Sequence, residues 1–239
     1  MPTLLLTGAN RGIGLELMKQ FTPLGWTIHA TCRDPSTATE LRQIADGAGG
    51  RVTIHKLEAT DHGQIEALGK TLSGAPIDIL FNNAGVMEAK QRPYADMAGS
   101  QTIDTLDWDD WMGVMRINVM APARMSEVFA DHVARSERKV IAFVSSIMGS
   151  ITSTTGTWIH YRSSKTAVNM MMRSMAADLR DRGITTVAIH PGWVRTSMGG
   201  PTAAVAPEDS AAGICKVITG VTPAHNGHFL TFDGKELPW

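Results

Sequence analysis

The chain has 239 residues, of which 43% are hydrophobic and 23 are glycine, and its formal net charge is −1. This composition excludes a disordered chain, and the absence of basic blocks argues against a partner among nucleic acids or acidic membrane surfaces. The apolar runs are too short for a membrane span or a signal peptide. Two cysteines, Cys32 and Cys215, are too few for a disulfide framework, so we expect inert core thiols in a cytoplasmic protein.

Short apolar segments alternate with longer amphipathic segments along the whole chain. Strands are predicted at Thr3–Thr7, Thr27–Thr31, Val52–Leu57, Ile77–Phe81, Lys139–Val144, Thr185–His190 and Gly227–Phe232. Helices are predicted near residues 12–22, 36–46, 61–72, 107–133, 159–181 and 207–219. Strands that are hydrophobic throughout belong to a sheet buried on both faces. We therefore expect an α/β fold with one domain over residues 1–239, a Rossmann-type doubly wound parallel sheet of about seven strands with helices on both faces.

Two irregular segments, 86–105 and 197–207, follow predicted strand ends. Open α/β sheets bind their ligands at the carboxyl ends of the strands. The glycine, proline and serine content of these segments is typical of loops. We expect them to surround the substrate and to determine which substrate is accepted.

A glycine turn follows the first predicted strand and opens the first helix. Gly8, Gly12 and Gly14 have the spacing G-x-x-x-G-x-G. Glycines permit a sharp turn and a close approach of the backbone to a pyrophosphate, which the helix N-terminus then faces. A glycine-rich turn that only packs is the alternative, but the strand and helix on either side favour dinucleotide binding.

The second predicted strand leads into Arg33 and Asp34. An acidic residue at this strand tip binds a ribose 2′-hydroxyl, whereas an arginine accommodates a 2′-phosphate. Arg11, inside the glycine turn, would add a second cation. We therefore expect NADP(H) to be favoured over NAD(H), a preference that reverses if Asp34 is the residue that points inward.

Tyr161 and Lys165 are four residues apart on a predicted helix and therefore share one face. A phenol with a pKa of about 10 is a poor acid–base catalyst near neutral pH. A nearby ammonium favours the phenolate, so we expect Lys165 to lower the pKa of Tyr161 towards about 7. The neighbouring His160 diverges by about 100° on the helix and is expected to be a packing residue.

Further motifs follow the glycine turn in a fixed order: Asn82-Asn-Ala-Gly85, Asn118, Ser146, Tyr161 with Lys165, and Pro191–Thr196. With these motifs the chain resembles the short-chain dehydrogenase/reductase family over almost its whole length. The segments His190–Gly200 and Gly227–Trp239 are similar to the C-factor/sniffer-like carbonyl reductase branch. The resemblance adds weight to the dinucleotide site and assigns roles to individual residues.

The resemblance implies a catalytic set of four side chains. Tyr161 would be the general acid in carbonyl reduction, and Lys165 would lower its pKa and bind the nicotinamide ribose. Ser146 would hold the substrate oxygen, and Asn118 would support a water chain that reprotonates Lys165. Because the interval from Ser146 to Tyr161 is longer than usual in the family, Ser145 stays open as the catalytic hydroxyl.

The resemblance also implies contacts with the cofactor, and Glu58 stands where the family more often has an aspartate near the adenine. The expected cofactor residues are Gly8, Asn10, Arg11, Gly12, Ile13, Gly14, Arg33, Leu57, Glu58, Asn82, Ala84, Gly85, Tyr161, Lys165, Pro191, Gly192, Val194 and Thr196. Apolar residues near the chemistry are candidates for a substrate pocket. These are Met87, Met148, Trp158, Trp193 and Met198. No metal is expected, because no Cys/His cluster is present.

The expected function is an NADPH-dependent carbonyl reductase or alcohol dehydrogenase that acts on a small-to-medium ketone, aldehyde or secondary alcohol. Two alternatives are an NAD-linked alcohol dehydrogenase of a degradative pathway and a cofactor-binding, C-factor-like signalling protein. The methionine-rich segment Asn169–Met175 is expected at the interface of a homodimer or homotetramer, because members of the family commonly dimerise through this helix.

Overall fold

The computed structural model describes residues 1–92, 94–97 and 101–239. Its strands are β1 (Thr3–Leu6), β2 (Thr27–Cys32), β3 (Val52–Lys56), β4 (Ile79–Asn82), β5 (Val140–Val144), β6 (Thr185–His190) and β7 (His228–Thr231). Its α-helices are α1 (Gly12–Phe21), α2 (Thr39–Gly47), α3 (His62–Thr71), α4 (Tyr94–Met97), α5 (Trp108–Met115), α6 (Ala121–Ala134), α7 (Ile159–Asp178) and α8 (Pro207–Thr219). Most of the predicted boundaries hold to within a few residues.

The strands form one sheet of seven strands in the order β3-β2-β1-β4-β5-β6-β7. All neighbouring pairs are parallel. The chain leaves β1 towards one edge of the sheet and returns to β4 on its other side. This reversal of direction opens a crevice at the carboxyl ends of β1 and β4, where a doubly wound sheet binds its ligand. The predicted fold class is confirmed.

Helices cover both faces of the sheet, as its uniformly apolar strands require. Leu4 and Leu6 of β1 pack into a cluster with side chains of α1, α2 and α8. Leu5 points to the other face and packs with side chains of α3, α6 and α7. The alternation follows from the two-residue period of a strand. Both cysteines are buried and free, and burial raises the pKa of Cys215 to about 11.

The predicted helix over 107–133 is not continuous. A π-helical segment, Arg116–Met120, separates α5 from α6, and the Ala121 N–H donates to the Arg116 carbonyl. Pro122 has no N–H to donate to the carbonyl four residues earlier, so a regular helix is interrupted at Asn118. Single π turns inside helices are frequent at functional sites. Within the described ranges, no helix is both long enough and apolar enough to cross a membrane.

Candidate active site

A cavity of about 420 Å³ lies over the carboxyl ends of the central strands, beside the N-terminus of α1. Arg11 precedes this helix and makes no side-chain cap, and the first turn holds no acidic residue. The first N–H groups of α1 are therefore available to an anion. A Cβ at Gly14 would lie 2.1 Å from the Gly8 carbonyl oxygen, so only glycine allows the turn to close this tightly.

Tyr161 and Lys165 stand one above the other on α7 and both line the cavity. Both are buried, with exposed fractions of 7% and 4%. The Lys165 Nζ donates a 2.8 Å hydrogen bond to the Val144 carbonyl at the end of β5. It lies 5.6 Å from the centroid of the Tyr161 ring. The shared face predicted from the four-residue spacing is therefore present.

The pKa of the phenol does not move as expected. Burial raises the pKa of Tyr161 to about 12, and a hydrogen bond with Ser146 lowers it by a smaller amount. Burial also lowers the pKa of Lys165 to about 8. The expected lowering of this pKa by Lys165 is not seen in this arrangement, where desolvation of the phenol is the largest effect. At neutral pH, Tyr161 is therefore a protonated donor.

The structure distinguishes the two candidate serines. Ser145 is 1% exposed, and its hydroxyl donates to Asn169 Oδ1 at 2.6 Å. The Ser146 hydroxyl accepts from the Met148 N–H at 3.1 Å and lies close enough to Tyr161 to lower the pKa of the phenol by a small amount. Successive residues at a strand end point to opposite faces, which is why only Ser146 reaches the phenol.

Asn118 lies in the π-helical segment and does not bond within its own helix. Its amide exchanges two 2.8 Å hydrogen bonds with the backbone of Val86, and it also donates to Ser164 Oγ on α7 at 3.0 Å. A Cβ at Gly85 would lie 3.2 Å from Asn118 Oδ1 and 3.5 Å from Lys165 Nζ. Asn118 thus ties the segment after β4 to the catalytic helix beside Lys165.

Gln101 is a positioning residue that the sequence motifs did not reveal. Its carbonyl accepts from the Ile159 N–H at 2.9 Å, and its Oε1 accepts from the Tyr161 N–H at 3.1 Å. Its amide donates to the Met87 carbonyl at 3.1 Å. Gln101 therefore caps α7 and fixes it to the cavity wall. It falls in an irregular segment where no periodic pattern or family motif marks it.

Arg11 and Arg33 converge at the other end of the cavity. Both donate to Oε1 of Gln91, at 3.0 and 3.3 Å. Asp34 turns away and accepts from the backbone and hydroxyl of Ser36, and these hydrogen bonds lower the pKa of its carboxyl. The arginines, and not the carboxylate, therefore line the cavity at this strand tip.

Most of the expected cofactor residues line the cavity: Gly8, Asn10, Arg11, Gly12, Ile13, Gly14, Arg33, Leu57, Glu58, Ala84, Gly85, Tyr161, Lys165, Pro191 and Thr196. Asn82, Gly192 and Val194 do not. The neighbouring Asn83 lines it instead, and its amide donates to the carbonyls of Thr7 and Gly8. The alternation of β4 turns Asn82 into the protein interior, and Val194 is buried in a bridge with Val205.

Two of the five expected substrate residues, Met87 and Met198, line the cavity. Met148, Trp158 and Trp193 do not. Trp193 is half exposed and its indole donates to the Gly199 carbonyl, while Trp158 forms the left-handed cap of α7. Met97, which the sequence did not indicate, joins the apolar wall. Within the expected loop 86–105, residues 93 and 98–100 lie outside the described residues.

His160 is a structural residue, as expected. Its Nδ1 lies 3.1 Å from Asp110 Oδ2, and its ring stacks on Trp111. Among the residues that the structure describes, no group of three or more His, Cys, Asp or Glu side chains could hold a metal ion.

Comparison with known proteins places these features in a family. The model of the short chain dehydrogenase family matches residues 2–205. The chain belongs to this family. The short-chain dehydrogenase/reductases are oxidoreductases, and the enzyme class expected from the motifs is confirmed.

Several individual proteins are similar to this dehydrogenase over most of its length. The C-signal protein of Myxococcus xanthus is 38% identical over 180 residues, which cover 73% of this chain and all of the relative. The NADPH-bound carbonyl reductase from chicken fatty liver is 33% identical, with a TM-score of 0.88 over 100% of this chain and 99% of the other. The carbonyl reductase Sniffer of Drosophila melanogaster is 28% identical, with a TM-score of 0.89 over the full length of both chains.

The cavity of this dehydrogenase fits a phosphorylated dinucleotide. The open N-terminus of α1 suits a pyrophosphate. Arg11 and Arg33 share a neutral amide, and across the described part of the chain neither forms an ion pair with a carboxylate. Two cations without a carboxylate partner suit a phosphate group.

Proposed function

We propose that this protein is an NADPH-dependent carbonyl reductase that acts on a small-to-medium ketone or aldehyde and, in reverse, on a secondary alcohol. The observation that carries the proposal is the buried pair Tyr161 and Lys165, which lines the same cavity as the glycine turn. A dinucleotide in this cavity brings redox chemistry beside a proton donor.

NADPH supplies the hydride when it is bound. Tyr161 donates its proton to the oxygen of the substrate carbonyl, and its raised pKa keeps that proton in place at neutral pH until charge develops on the oxygen. Ser146 holds the same oxygen through its hydroxyl. Lys165, with a pKa of about 8, keeps most of its positive charge near the phenol and favours the phenolate that forms. Asn118 fixes the backbone beside Lys165 and supports its reprotonation.

The preference for NADPH over NADH follows from the phosphate end of the cavity. Arg11 and Arg33 both point into it, and Asp34 is held by Ser36. Arginine side chains at this strand tip accommodate a 2′-phosphate, whereas a carboxylate would bind a 2′-hydroxyl. The remaining members of the cofactor set contribute mainly backbone groups to the proposed site.

The substrate class follows from the apolar part of the cavity. Met87, Met97 and Met198 supply flexible apolar surface near Tyr161. The two irregular segments meet above this wall, because a Cβ at Gly200 would lie 2.5 Å from the ring of Tyr94. A carbonyl compound with an apolar substituent suits this wall better than a highly charged one.

Replacement of Tyr161 by Phe tests the proposal. We expect turnover of ketones to fall by at least about a thousandfold, because the proton donor is lost. We expect the Kd for NADPH to stay within about threefold, since this substitution keeps the ring and its packing. Steady-state kinetics and fluorescence titration measure the two quantities. Full activity in Tyr161→Phe would contradict the proposed role of the phenol.

The likeness to C-signal supports a second candidate, a cofactor-binding signalling protein. A panel of ketones, aldehydes and secondary alcohols, assayed with NADPH, NADP, NADH and NAD, separates the candidates. Tight NADP(H) binding without turnover of any compound favours signalling. Faster alcohol oxidation with NAD than ketone reduction with NADPH favours a degradative alcohol dehydrogenase.

We also propose that the protein forms a homo-oligomer through α5 and α7. Trp108 and Met112 on α5 are 68% and 51% exposed, and Met170 on α7 is 68% exposed. The two helices pack together, since the Trp111 indole donates to Ser163 Oγ. Exposed apolar patches of this kind mark interaction sites. Light scattering of Met170→Glu should show a smaller particle than wild type, whereas an unchanged mass would place the interface elsewhere.

A further inference from the structure

Gln91 is unusual in its conformation, its partners and its place in the cavity. Its φ is 50°, a left-handed conformation that non-glycine residues rarely adopt. Its side chain lines the cavity and accepts from two guanidinium groups at once. A left-handed glutamine is strained and persists only when its surroundings hold it in place.

The contacts around Gln91 show what holds it. On one side, the Lys90 N–H donates to Asp110 Oδ1 at 3.0 Å, and the Lys90 ammonium pairs with Asp107. On the cavity side, the arginines Arg11 and Arg33 hold the Gln91 amide. The segment before Gln91 is therefore fixed to α5, while the Gln91 side chain lines the cavity and contacts both arginines.

The Gln91 amide is neutral and does not balance the positive charges of Arg11 and Arg33. Arg11 and Arg33 bring two positive charges to one neutral oxygen, although a carboxylate or phosphate oxygen is a stronger acceptor for a guanidinium. The Gln91 amide oxygen accepts hydrogen bonds from both guanidinium groups but does not neutralise their positive charges. A dianion that enters the cavity therefore gains more from the arginines than Gln91 does.

We propose that Gln91 is an internal latch that occupies the 2′-phosphate position between Arg11 and Arg33, and that a 2′-phosphate displaces it. This inference rests on the proposed preference for NADPH. Displacement breaks the two amide contacts and frees Gln91 to leave its left-handed conformation. A 2′-hydroxyl carries no charge and leaves the latch in place. Gln91 is thus a specificity-determining residue that makes 2′-phosphate binding change the segment 87–92, which also carries Met87 of the substrate wall.

Titration calorimetry with 2′,5′-ADP and 5′-AMP tests the latch without turnover. In Gln91→Ala we expect 2′,5′-ADP to bind about threefold to tenfold more tightly, because the competing hydrogen bonds are gone. In Gln91→Glu we expect at least tenfold weaker binding at low salt, which recovers as salt screens the new carboxylate. Binding of 5′-AMP should change less than twofold in both variants. The matched control is Gln43→Glu, which adds the same charge at an exposed position of α2.

Hydrogen exchange gives a second measurement on the wild-type protein. Addition of 2′,5′-ADP, but not of 5′-AMP, should speed exchange at the amides of residues 87–92. Weaker 2′,5′-ADP binding in Gln91→Ala would overturn the latch and make Gln91 a phosphate ligand. Unchanged binding in both Gln91 variants would overturn it as well.

The same titrations separate the latch from the proposed reductase function. Equal affinity of wild type for 2′,5′-ADP and 5′-AMP would overturn the phosphate preference, and with it the latch. The expected Gln91 effects in a protein that reduces no carbonyl compound would support the latch and contradict the reductase. The expected Gln91 effects should also disappear in an Arg33→Ala background, and their persistence there would contradict a latch held by that arginine.

Discussion

The two ends of the cavity are built in different ways. At the proposed catalytic end, Tyr161 and Lys165 are buried on α7 and Ser146 is buried just after β5, and hydrogen bonds of 2.8 and 3.1 Å hold Lys165 and Ser146. At the phosphate end, Arg11 and Arg33 are exposed, and a side chain from an irregular segment joins them. In the proposed function, chemistry takes place at the buried end and the cofactor phosphate is recognised at the exposed end.

The difference has a physical reason. Proton transfer requires donor and acceptor within hydrogen-bond reach, which packed helices and strand ends provide. Burial also moves the pKa values of Tyr161 and Lys165 in opposite directions, to about 12 and about 8. A phosphate is recognised by charge, and charge acts over several ångströms without tight packing. An exposed pair of arginines is therefore sufficient, and a loop residue can modulate it.

The largest effect should come from a substitution at the proposed catalytic end of the cavity. In Lys165→Met we expect kcat to fall by about a thousandfold, because the buried charge next to Tyr161 is removed. We also expect a higher free energy of unfolding at pH 7. The folded pKa of about 8 lies below the usual 10.5, so burying the ammonium costs stability below pH 8, and the cost fades as pH rises towards 10.5.

Chemical denaturation at pH 7 and pH 10.5 measures this difference, with Lys70→Met on the exposed face of α3 as the matched control. The stability gained by Lys165→Met should shrink at the higher pH, and the control should show no such change. A Lys165→Met variant that is less stable than wild type at pH 7 would contradict the desolvation cost.

Substitution of Ser146 should affect mainly catalysis, whereas substitution of Ser145 should affect mainly stability. Ser146→Ala is expected to lower kcat by about a hundredfold with little loss of stability, because its hydroxyl lies beside the phenol and lowers the pKa of Tyr161. Ser145→Ala is expected to keep kcat and to lose about 1–3 kcal/mol of stability, because Asn169 Oδ1 loses a buried donor. Kinetics and denaturation of both variants check the pair, and the reverse pattern would assign the catalytic hydroxyl to Ser145.

A smaller effect is expected at the phosphate end. Arg33→Ala should weaken NADPH binding by about tenfold and leave NADH binding unchanged, because one charged hydrogen-bond donor is lost. Asp34→Asn is the matched control, since its side chain bonds to Ser36 outside the cavity. Equal losses for both cofactors in Arg33→Ala would show that the arginine contributes to the fold and not to phosphate recognition.

The last prediction concerns stability in acid, to which buried histidines contribute. Burial lowers the pKa of His190, at the end of β6, to about 4. The unfolded chain binds a proton near pH 6.5, so His190 alone should contribute up to about 3 kcal/mol to the loss of stability between pH 6.5 and 4. His190→Leu should flatten part of this slope in denaturation curves. His29, whose pKa is also about 4, should account for a further part of the stability lost in acid. An unchanged slope in His190→Leu would contradict the assignment to His190.

The sequence by itself determined the fold, the glycine turn beside the cavity and the shared helix face of Tyr161 and Lys165. Each of these depends on local patterns: uniformly apolar strands, glycines at a strand–helix junction, and two side chains one helical turn apart. The π-helical segment at Asn118 escaped prediction, although Pro122 was its visible cause. So did Asn83, because the register of β4 decides which of two asparagines reaches the cavity.

Only the tertiary structure decided the features that depend on distant residues. It gave the two serines different neighbours, because Ser145 donates to Asn169 Oδ1 whereas Ser146 lies beside Tyr161. It reversed the expected pKa of Tyr161, since burial is a property of the whole cavity. It also brought Gln91 between Arg11 and Arg33, residues 80 and 58 positions apart from it in sequence. Periodicity and spacing carry no information about such contacts, because the packing of separate elements creates them.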